Sequence, residues 1–522
     1  LSPKPALPGA PASGISPAPQ FPQTPPSQGL PTPAAPVGGV AGVQSSLKPK
    51  FALPSGSPLK FLPIIIGAII LIGVLIFAGM RILGGSGSQS AGTNGTAGTG
   101  TGTGAAKLPN SNNPAKQITL SYWGLWAPTS VLQSVFDDFS KQNPGVTIQY
   151  QKQSPTQYRE RLQSAIASGT GPDLFRFHAS WVPMLRSELS PAPSAVMTPS
   201  EFENTFYPIA TKQLVANNQV VGMPLMYDGL ALYYNKDIFE TANLKPPATW
   251  AELRQIASDL TIRTENKLSR GGVALGNSTN VEHFADIIGL LMVQNGADPS
   301  DATSPEAIQA VTFYTNFVKK DQVWDDTLPS STVAFSRGDV AMMIAPSWRA
   351  HEVQALNPNL QFAISPVPKL ADVQIGWASF WAEGVSSQSK NKDISWKLLA
   401  YMSSNAVQQK LYSDAKQTRS FGEIYSRRDL ASQLINDPYV GAYLTDAPTA
   451  QSWYLNSFTH DNGLNDQIIK YYLDAVTTIS TNAKSVTDAM ITVGQGTSLV
   501  LRQFGLAEAS APAAGNSTSI GL

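Results

Sequence analysis

Few side chains in this sequence could carry chemistry, and their spacing points away from catalysis. The chain has four histidines, His178, His283, His351 and His460, and no cysteine. Metal-ligand histidines recur within a few residues of one another or of other ligands. These do not, so each is read as a solvated or hydrogen-bonded side chain. Without cysteine there can be no disulfide, thiolate metal site, thiol nucleophile or lipidated N-terminal Cys. No G-x-S-x-G elbow, Walker loop or H-E-x-x-H helix occurs. A glycosidase needs two carboxylates across a scissile bond, and Asp228 with Asp173 is one pair to consider. The other notable set is aromatic: all ten tryptophans fall between Trp123 and Trp453. No catalytic residue, metal or cofactor is assigned from these features.

The elements that would position such residues begin at Gln117. ITLSYWGLW (118–126) reads as a strand rich in β-branched and aromatic residues. Pro128-Thr129-Ser130 opens a helix whose apolar face is Val131, Leu132, Val135, Phe136 and Phe139. Asn143-Pro144-Gly145 ends it, and VTIQYQ (146–151) alternates as a second strand. A helix over Tyr158–Ser168 and a buried strand DLFRF (173–177) follow. This alternation predicts an α/β fold with a parallel sheet. Ligands of such sheets bind beyond the carboxyl ends of the strands, which puts Trp123–Pro128 and Phe177–Trp181 on one rim. The pattern recurs in LALYY (230–234), in a helix over 248–261 and in VAFSRGDVAMMIAPSW (333–348), so a second α/β lobe is expected.

The ends of the chain differ in texture. Residues 1–60 hold 15 of the 40 prolines and read as a Pro-rich disordered tail, either a PPII ligand for a cytoplasmic partner or a solvated tail. The twenty uncharged residues FLPIIIGAIILIGVLIFAGM (61–80) are long enough to span a hydrocarbon core of roughly 30 Å. One transmembrane helix is therefore expected over 61–83. A Gly/Ser/Thr-rich linker (84–116) follows it, and a flexible tail (507–522) closes the chain. Lys48, Lys50 and Lys60 before the span, against Arg81 after it, place the N-terminus in the cytoplasm and the rest outside the cell. Seven bases precede Gln117, which leaves 29 bases against 36 acids in the remainder. An acidic body excludes nucleic acid as a partner. The first residue is Leu1 rather than Met, so the natural N-terminus is left open.

Four segments, in order, carry a family resemblance: FSKQNPGVTIQY (139–150), ASGTGPDLF (167–175), GMPLMYDGLALYYNKDIF (222–239) with PPATWAEL (246–253), and FSRGDVAMMIAPSW (335–348) with WASFWAEGVSSQSKNKDISWKLLAYM (377–402). From about Ile118 to Gln503 the chain resembles family 1 of the extracellular solute-binding proteins, the maltose-binding-protein-like receptors of ABC transporters. The resemblance implies a two-lobed periplasmic-binding-protein-like clamp of type II. Lobe 1 would comprise 117–229 and 367–415, and lobe 2 would comprise 230–366 and 416–506. Crossings are implied near Asp228–Leu230, Ser365–Pro368 and 415–425. It further implies a receptor rather than an enzyme, which takes a small polar ligand and delivers it to membrane permease subunits. Many relatives are anchored by a lipid on Cys, and here a transmembrane helix would replace it.

A sugar offers hydroxyls at its edge and C–H on its faces, so its site wants carboxylates, amides and aromatic rings. Asp228 matches a cleft carboxylate of the family, with a turn-forming Asp before Gly229 as the alternative. Tyr227 beside it shares that argument. Trp348 matches a cleft tryptophan, against a core tryptophan. Trp377, Ser379 and Trp381 share one strand face, with one of the two tryptophans expected in the cleft. Trp123, Trp126, Phe177, His178 and Trp181 belong to the rim of lobe 1. Trp453, Tyr454 and Asp461–Asn465 form a late loop that could close over ligand, and Arg419 reads as a surface ion pair, with contact to an anionic group as the alternative. Another class of function remains, an anchored sensor or adhesion ectodomain with the same clamp.

Overall fold

The computed structural model describes residues 117–507, apart from 371 and 373. The expected tail, transmembrane helix and linker lie outside the described residues, as does the C-terminal tail beyond residue 507. Among the described residues no helix is long and apolar enough to cross a membrane.

In chain order the strands are β1 (Ile118–Gly124), β2 (Val146–Lys152), β3 (Leu174–His178), β4 (Val215–Ala216), β5 (Gln219–Val220), β6 (Ala231–Asn235), β7 (Ile262–Thr264), β8 (Lys267–Val273), β9 (Val340–Ala345), β10 (Phe362–Ser365) and β11 (Trp381–Val385). The first sheet has the order β11-β3-β1-β2, with β1 parallel to both neighbours and β11 antiparallel to β3. The second sheet has the order β10-β6-β9-β8-β7, with only β8 and β9 parallel. β4 and β5 form a separate two-stranded ribbon.

Local sequence explains most of these elements. The helix Thr129–Gln142 buries Leu132, Val135, Phe136 and Phe139, residues at the spacing of one helical face. The helix Ser331–Arg337 ends at Gly338, whose φ of 79° is a left-handed cap that releases the chain into β9. Helices Lys392–Met402 and Asn405–Lys416 pack on Thr129–Gln142 and so return to the first sheet. Helices Leu464–Ser480 and Val486–Gln503 pack on each other and on Pro305–Lys319, in the second lobe.

The two sheets are joined where three segments meet. Tyr227 N–H donates to Ile424 O, Leu230 N–H to Trp377 O, and Ser379 N–H to Asp228 O. β6 begins one residue after Leu230, in the other sheet, so the lobe changes within this knot. Gly229 is required at its centre: a Cβ there would lie 2.0 Å from the carbonyl oxygen of Trp377. That contact involves backbone on both sides and cannot be relieved by a rotamer change. Gly229→Ala is therefore expected to lower the unfolding free energy by about 1–3 kcal/mol, as overpacking does, measured by urea denaturation. Unchanged stability would show that the crossing segments are loosely held.

Candidate ligand-binding cleft

A cavity of about 450 Å³ lies between the lobes with Met226 and Asp228–Leu230 of the crossing segment in its lining. Small-molecule sites run roughly 300–1,000 Å³. Strand alternation sets the lobe 1 wall: Arg176 and His178 leave the same side of β3, while Phe175 and Phe177 go to the core. Trp126 follows β1, and Ser379 and Trp381 lead into β11. Lobe 2 contributes Pro346–Arg349 after β9, together with His283 and Asp286 from the start of the helix Phe284–Gln294. A late loop adds Ser457, Phe458 and His460.

Two aromatic walls result, one on each lobe. Trp126, 44% exposed, meets Trp381 edge-on at 4.5 Å between ring centroids, and Trp181 backs Trp381 at 5.3 Å. Opposite, Trp348 and Phe458 are each 40% exposed and lie 5.8 Å apart. The Arg349 guanidinium sits 4.2 Å from the Trp348 ring and 4.8 Å from the Phe458 ring, which fixes both. Exposed tryptophan faces inside a cavity keep apolar surface in water until something apolar covers them.

The polar groups are held with equal definition. Asp228 is buried, and its Oδ1 accepts from Gly229 N–H at 2.8 Å and Ser347 N–H at 3.1 Å. Its Oδ2 accepts from Ser347 Oγ at 2.9 Å. An ionised carboxylate has about four acceptor positions, so one on Oδ2 is left for a ligand hydroxyl. Burial pushes the Asp228 carboxyl up to about 7, against these hydrogen bonds. Asp286 accepts from Trp377 Nε1–H at 3.2 Å and Ser457 N–H at 3.1 Å, leaving acceptor positions on each oxygen.

The cleft cations are all paired. Arg176 donates from Nε to Glu383 at 2.7 Å, Arg419 to Glu423 at 2.8 Å and Arg349 to Glu352 at 2.6 Å, with Glu282 2.9 Å from Arg349. Burial pushes the Glu423 carboxyl up, but Arg419 and Arg176 outweigh it and hold the group below its ordinary range. Burial pushes His178 down to about 3 and His351 down to about 4, and also lowers His283 despite nearby Asp286. The cleft therefore offers donors and acceptors at neutral pH without uncompensated positive charge. Among the described residues no group of histidine and carboxylate side chains could hold a metal ion.

Comparison with known proteins places this geometry. The profile of the bacterial extracellular solute-binding proteins matches residues 134–420, more than half of the chain. The chain belongs to that family. A binding protein of Brucella abortus is 24% identical over 277 residues, which span 51% of this chain and 66% of that protein, just under two thirds of its length. The maltodextrin-binding protein of Bacillus subtilis is 23% identical over 66% of this chain and 83% of its own. Among solved structures, a cyclo/maltodextrin-binding protein complexed with maltotetraose shares the fold at a TM-score of 0.61, with 19% identity, 75% of this chain and 99% of that one covered. The cyclic α-maltosyl-1,6-maltose binding protein of Arthrobacter globiformis gives 0.62 at 17% identity, over 74% of this chain and 100% of that one.

In this solute-binding protein, six of the residues singled out from sequence line the cleft: Asp228, Trp348, Ser379, Trp381, Trp126 and His178. The other six do not. Tyr227 alternates with Met226 and Asp228, so its ring turns away from the cleft to Tyr207 and Phe380. Phe177 is on the core side of β3, within reach of Gly222 and Gly384. Trp377 does not share the cleft face of Ser379. The chain is still crossing between lobes there, and its ring is buried against Gly289 with Nε1–H on Asp286. Trp181 is fully buried behind Trp381, Trp123 is half-buried against the core one residue before the end of β1, and Trp453 packs with Tyr454. Asp173 is structural: it accepts from Ser121 N–H and Ser389 Oγ, and does not line the cavity. Hence the pair Asp173 and Asp228 is not assembled across it.

Sequence reading missed that all four histidines line one cavity, and it missed Arg176, Asp286, Arg349, Ser457 and Phe458. No local motif marks them; only the fold brings them together. Arg419 does form an ion pair, but within the cleft lining.

The raised Asp228 pKa sets a sign. Between about pH 4, where the carboxyl titrates in the unfolded chain, and about 7 the folded protein retains a proton that the unfolded chain has released. Stability contributed at this group therefore falls as pH rises through that window. The buried histidines act in the opposite direction, equally in wild type and variant. Urea unfolding at pH 5 and 7.5 is expected to show wild type losing on the order of 1–4 kcal/mol relative to Asp228→Asn. A pH-independent difference would contradict it.

Proposed function

We propose that this protein captures a neutral, polyhydroxylated ligand, a mono- or oligosaccharide, between its lobes and delivers it to an ABC importer. Segment 61–83 would hold it at the cell membrane with the binding domain outside. The observation that carries the reading is the pair of exposed aromatic walls, Trp126/Trp381 and Trp348/Phe458, facing each other over the acceptors of Asp228 and Asp286. Sugar C–H faces cover aromatic rings, and sugar hydroxyls fill free carboxylate positions. The pairing of every cleft guanidinium favours a neutral ligand over an anionic one. The sugar-binding names of several relatives and fold neighbours point the same way. The carboxylate pair Asp173 and Asp228 is not assembled across the cleft, and no observation favours the sensor or adhesion alternative.

A thermal-shift screen of the full chain against mono- and oligosaccharides tests this. A ligand at a hundredfold its Kd adds about 2.7 kcal/mol to stability. The expected result is a saccharide-dependent shift that weakens by tenfold or more in apparent affinity in Trp348→Ala and Trp126→Ala, about 1.4 kcal/mol each. A shift with another solute class and none with sugars would discard the carbohydrate and keep the clamp.

A further inference from the structure

The hydrogen-bond partners of the two buried histidines of the cleft walls point to one tautomer each, and these set where two serine protons go. On lobe 1, Ser180 N–H donates to His178 Nδ1 at 3.3 Å, so that nitrogen is an acceptor. Ser180 Oγ lies 2.7 Å from the same nitrogen and itself accepts from Asn465 Nδ2 at 2.8 Å. The orientation of the Asn465 amide is set because its Nδ2 also donates to Asp461 Oδ2 at 2.8 Å, a contact that an amide oxygen could not make with a carboxylate. Asp461 is fully buried and accepts in addition from the backbone N–H of Gly463, Asn465 and Asp466. The Ser180 proton therefore points to His178 Nδ1. The imidazole proton is left on Nε2, where Ser379 Oγ accepts it at 3.2 Å.

On lobe 2 the polarity arises differently. Arg349 Nε–H donates to His283 Nε2 at 3.0 Å, and a guanidinium cannot accept. The His283 proton is therefore on Nδ1, directed at Ser457 Oγ at 3.0 Å, with Asp286 Oδ2 further off at 3.8 Å. Each serine oxygen thus accepts from a neutral histidine. Each keeps its own proton, and each lines the cleft.

We infer that Ser379 and Ser457 are hydrogen-bond donors fixed on opposite walls of the cleft, so that the bound ligand must present an acceptor oxygen to each. His178 and His283, held as opposite tautomers, are the positioning residues behind them. The inference rests on the cleft being the binding site and goes beyond its sugar reading by naming two specificity-determining contacts. They complement Asp228 and Asp286, which only accept when ionised. A ligand threaded between the walls meets donors from serines and acceptors from carboxylates at set positions. The Asn465 link also ties the lobe 1 donor to the chain entering the helix Leu464–Ser480, which packs on lobe 2. The donor's orientation therefore depends on contact between the lobes.

Nitrogen-15 NMR of the full chain labelled at histidine reads the tautomers directly, because the sequence contains only four histidines. His178→Gln and His283→Gln assign the signals. The expected spectrum near neutral pH has His178 protonated on Nε2 and His283 on Nδ1. Arg349→Gln should move His283 toward the Nε2–H form and leave His178 unchanged. The same tautomer at both sites, or an imidazolium at either, would overturn the inference. With maltotriose as the probe, Ser379→Ala and Ser457→Ala should each weaken binding about three- to thirtyfold. Undiminished affinity in both variants would also overturn it. If wild type binds no saccharide, the sugar reading falls while the tautomer measurement still decides the relay.

Discussion

The close approach of Gly229 to the carbonyl of Trp377 is the constraint on which the cleft depends. Because no side chain separates these backbones, Leu230 N–H reaches Trp377 O and Ser379 N–H reaches Asp228 O. One contact thus places the buried carboxylate of one crossing beside the serine of another. It also lets each segment change lobes within a few residues. A buried Asp is costly unless its oxygens are hydrogen-bonded. Ser347, from the turn after β9, supplies two of those bonds and ties the second lobe to the floor.

From that floor the walls follow. β3 and β11 run side by side in the first lobe, and their alternation brings His178 and Trp381 to the same side. In the second lobe the helix Phe284–Gln294 is almost wholly buried, yet Asp286 on its first turn reaches the cleft and the Trp377 indole together. The late loop carries unusual backbone: Phe458, His460 and Asn462 all have positive φ, between 46° and 59°. For bulky residues such conformations cost about 1–3 kcal/mol each and persist only where the surroundings hold them. Asp461 pins the end of this loop by accepting from the backbone N–H groups of Gly463, Asn465 and Asp466, and the Arg349 guanidinium packs on Phe458.

The fold was legible because it rests on local signals. The apolar face of Thr129–Gln142, the Gly338 stop before β9 and the alternation of β2 all read directly from sequence. Part of the candidate cleft was legible on other grounds: Asp228 and Trp348 from resemblance to relatives, Trp126 and His178 from the rule that ligands bind beyond strand ends, and Ser379 and Trp381 from strand alternation. Two of the residues outside the cleft lining share one cause. Tyr227 and Phe177 are sequence neighbours of cleft-lining residues, and a strand sends neighbours to opposite sides. Which side faces the cleft depends on where a lobe crossing interrupts the strand, as between Trp377 and Ser379. The histidines were passed over because their convergence is a property of tertiary structure alone.

The central claim, that the lobes close on a sugar, is most directly tested by the distance between them. The chain has no cysteine, so spin labels at Gln133→Cys on lobe 1 and Gln309→Cys on lobe 2, both exposed positions, attach nowhere else. Pulsed electron–electron distance measurements would be made on the full chain with and without maltodextrins. The account predicts a saccharide-dependent shortening that Trp348→Ala abolishes at the same ligand concentration. An inter-lobe distance that no saccharide alters, in a protein that a non-sugar solute does close, would contradict it.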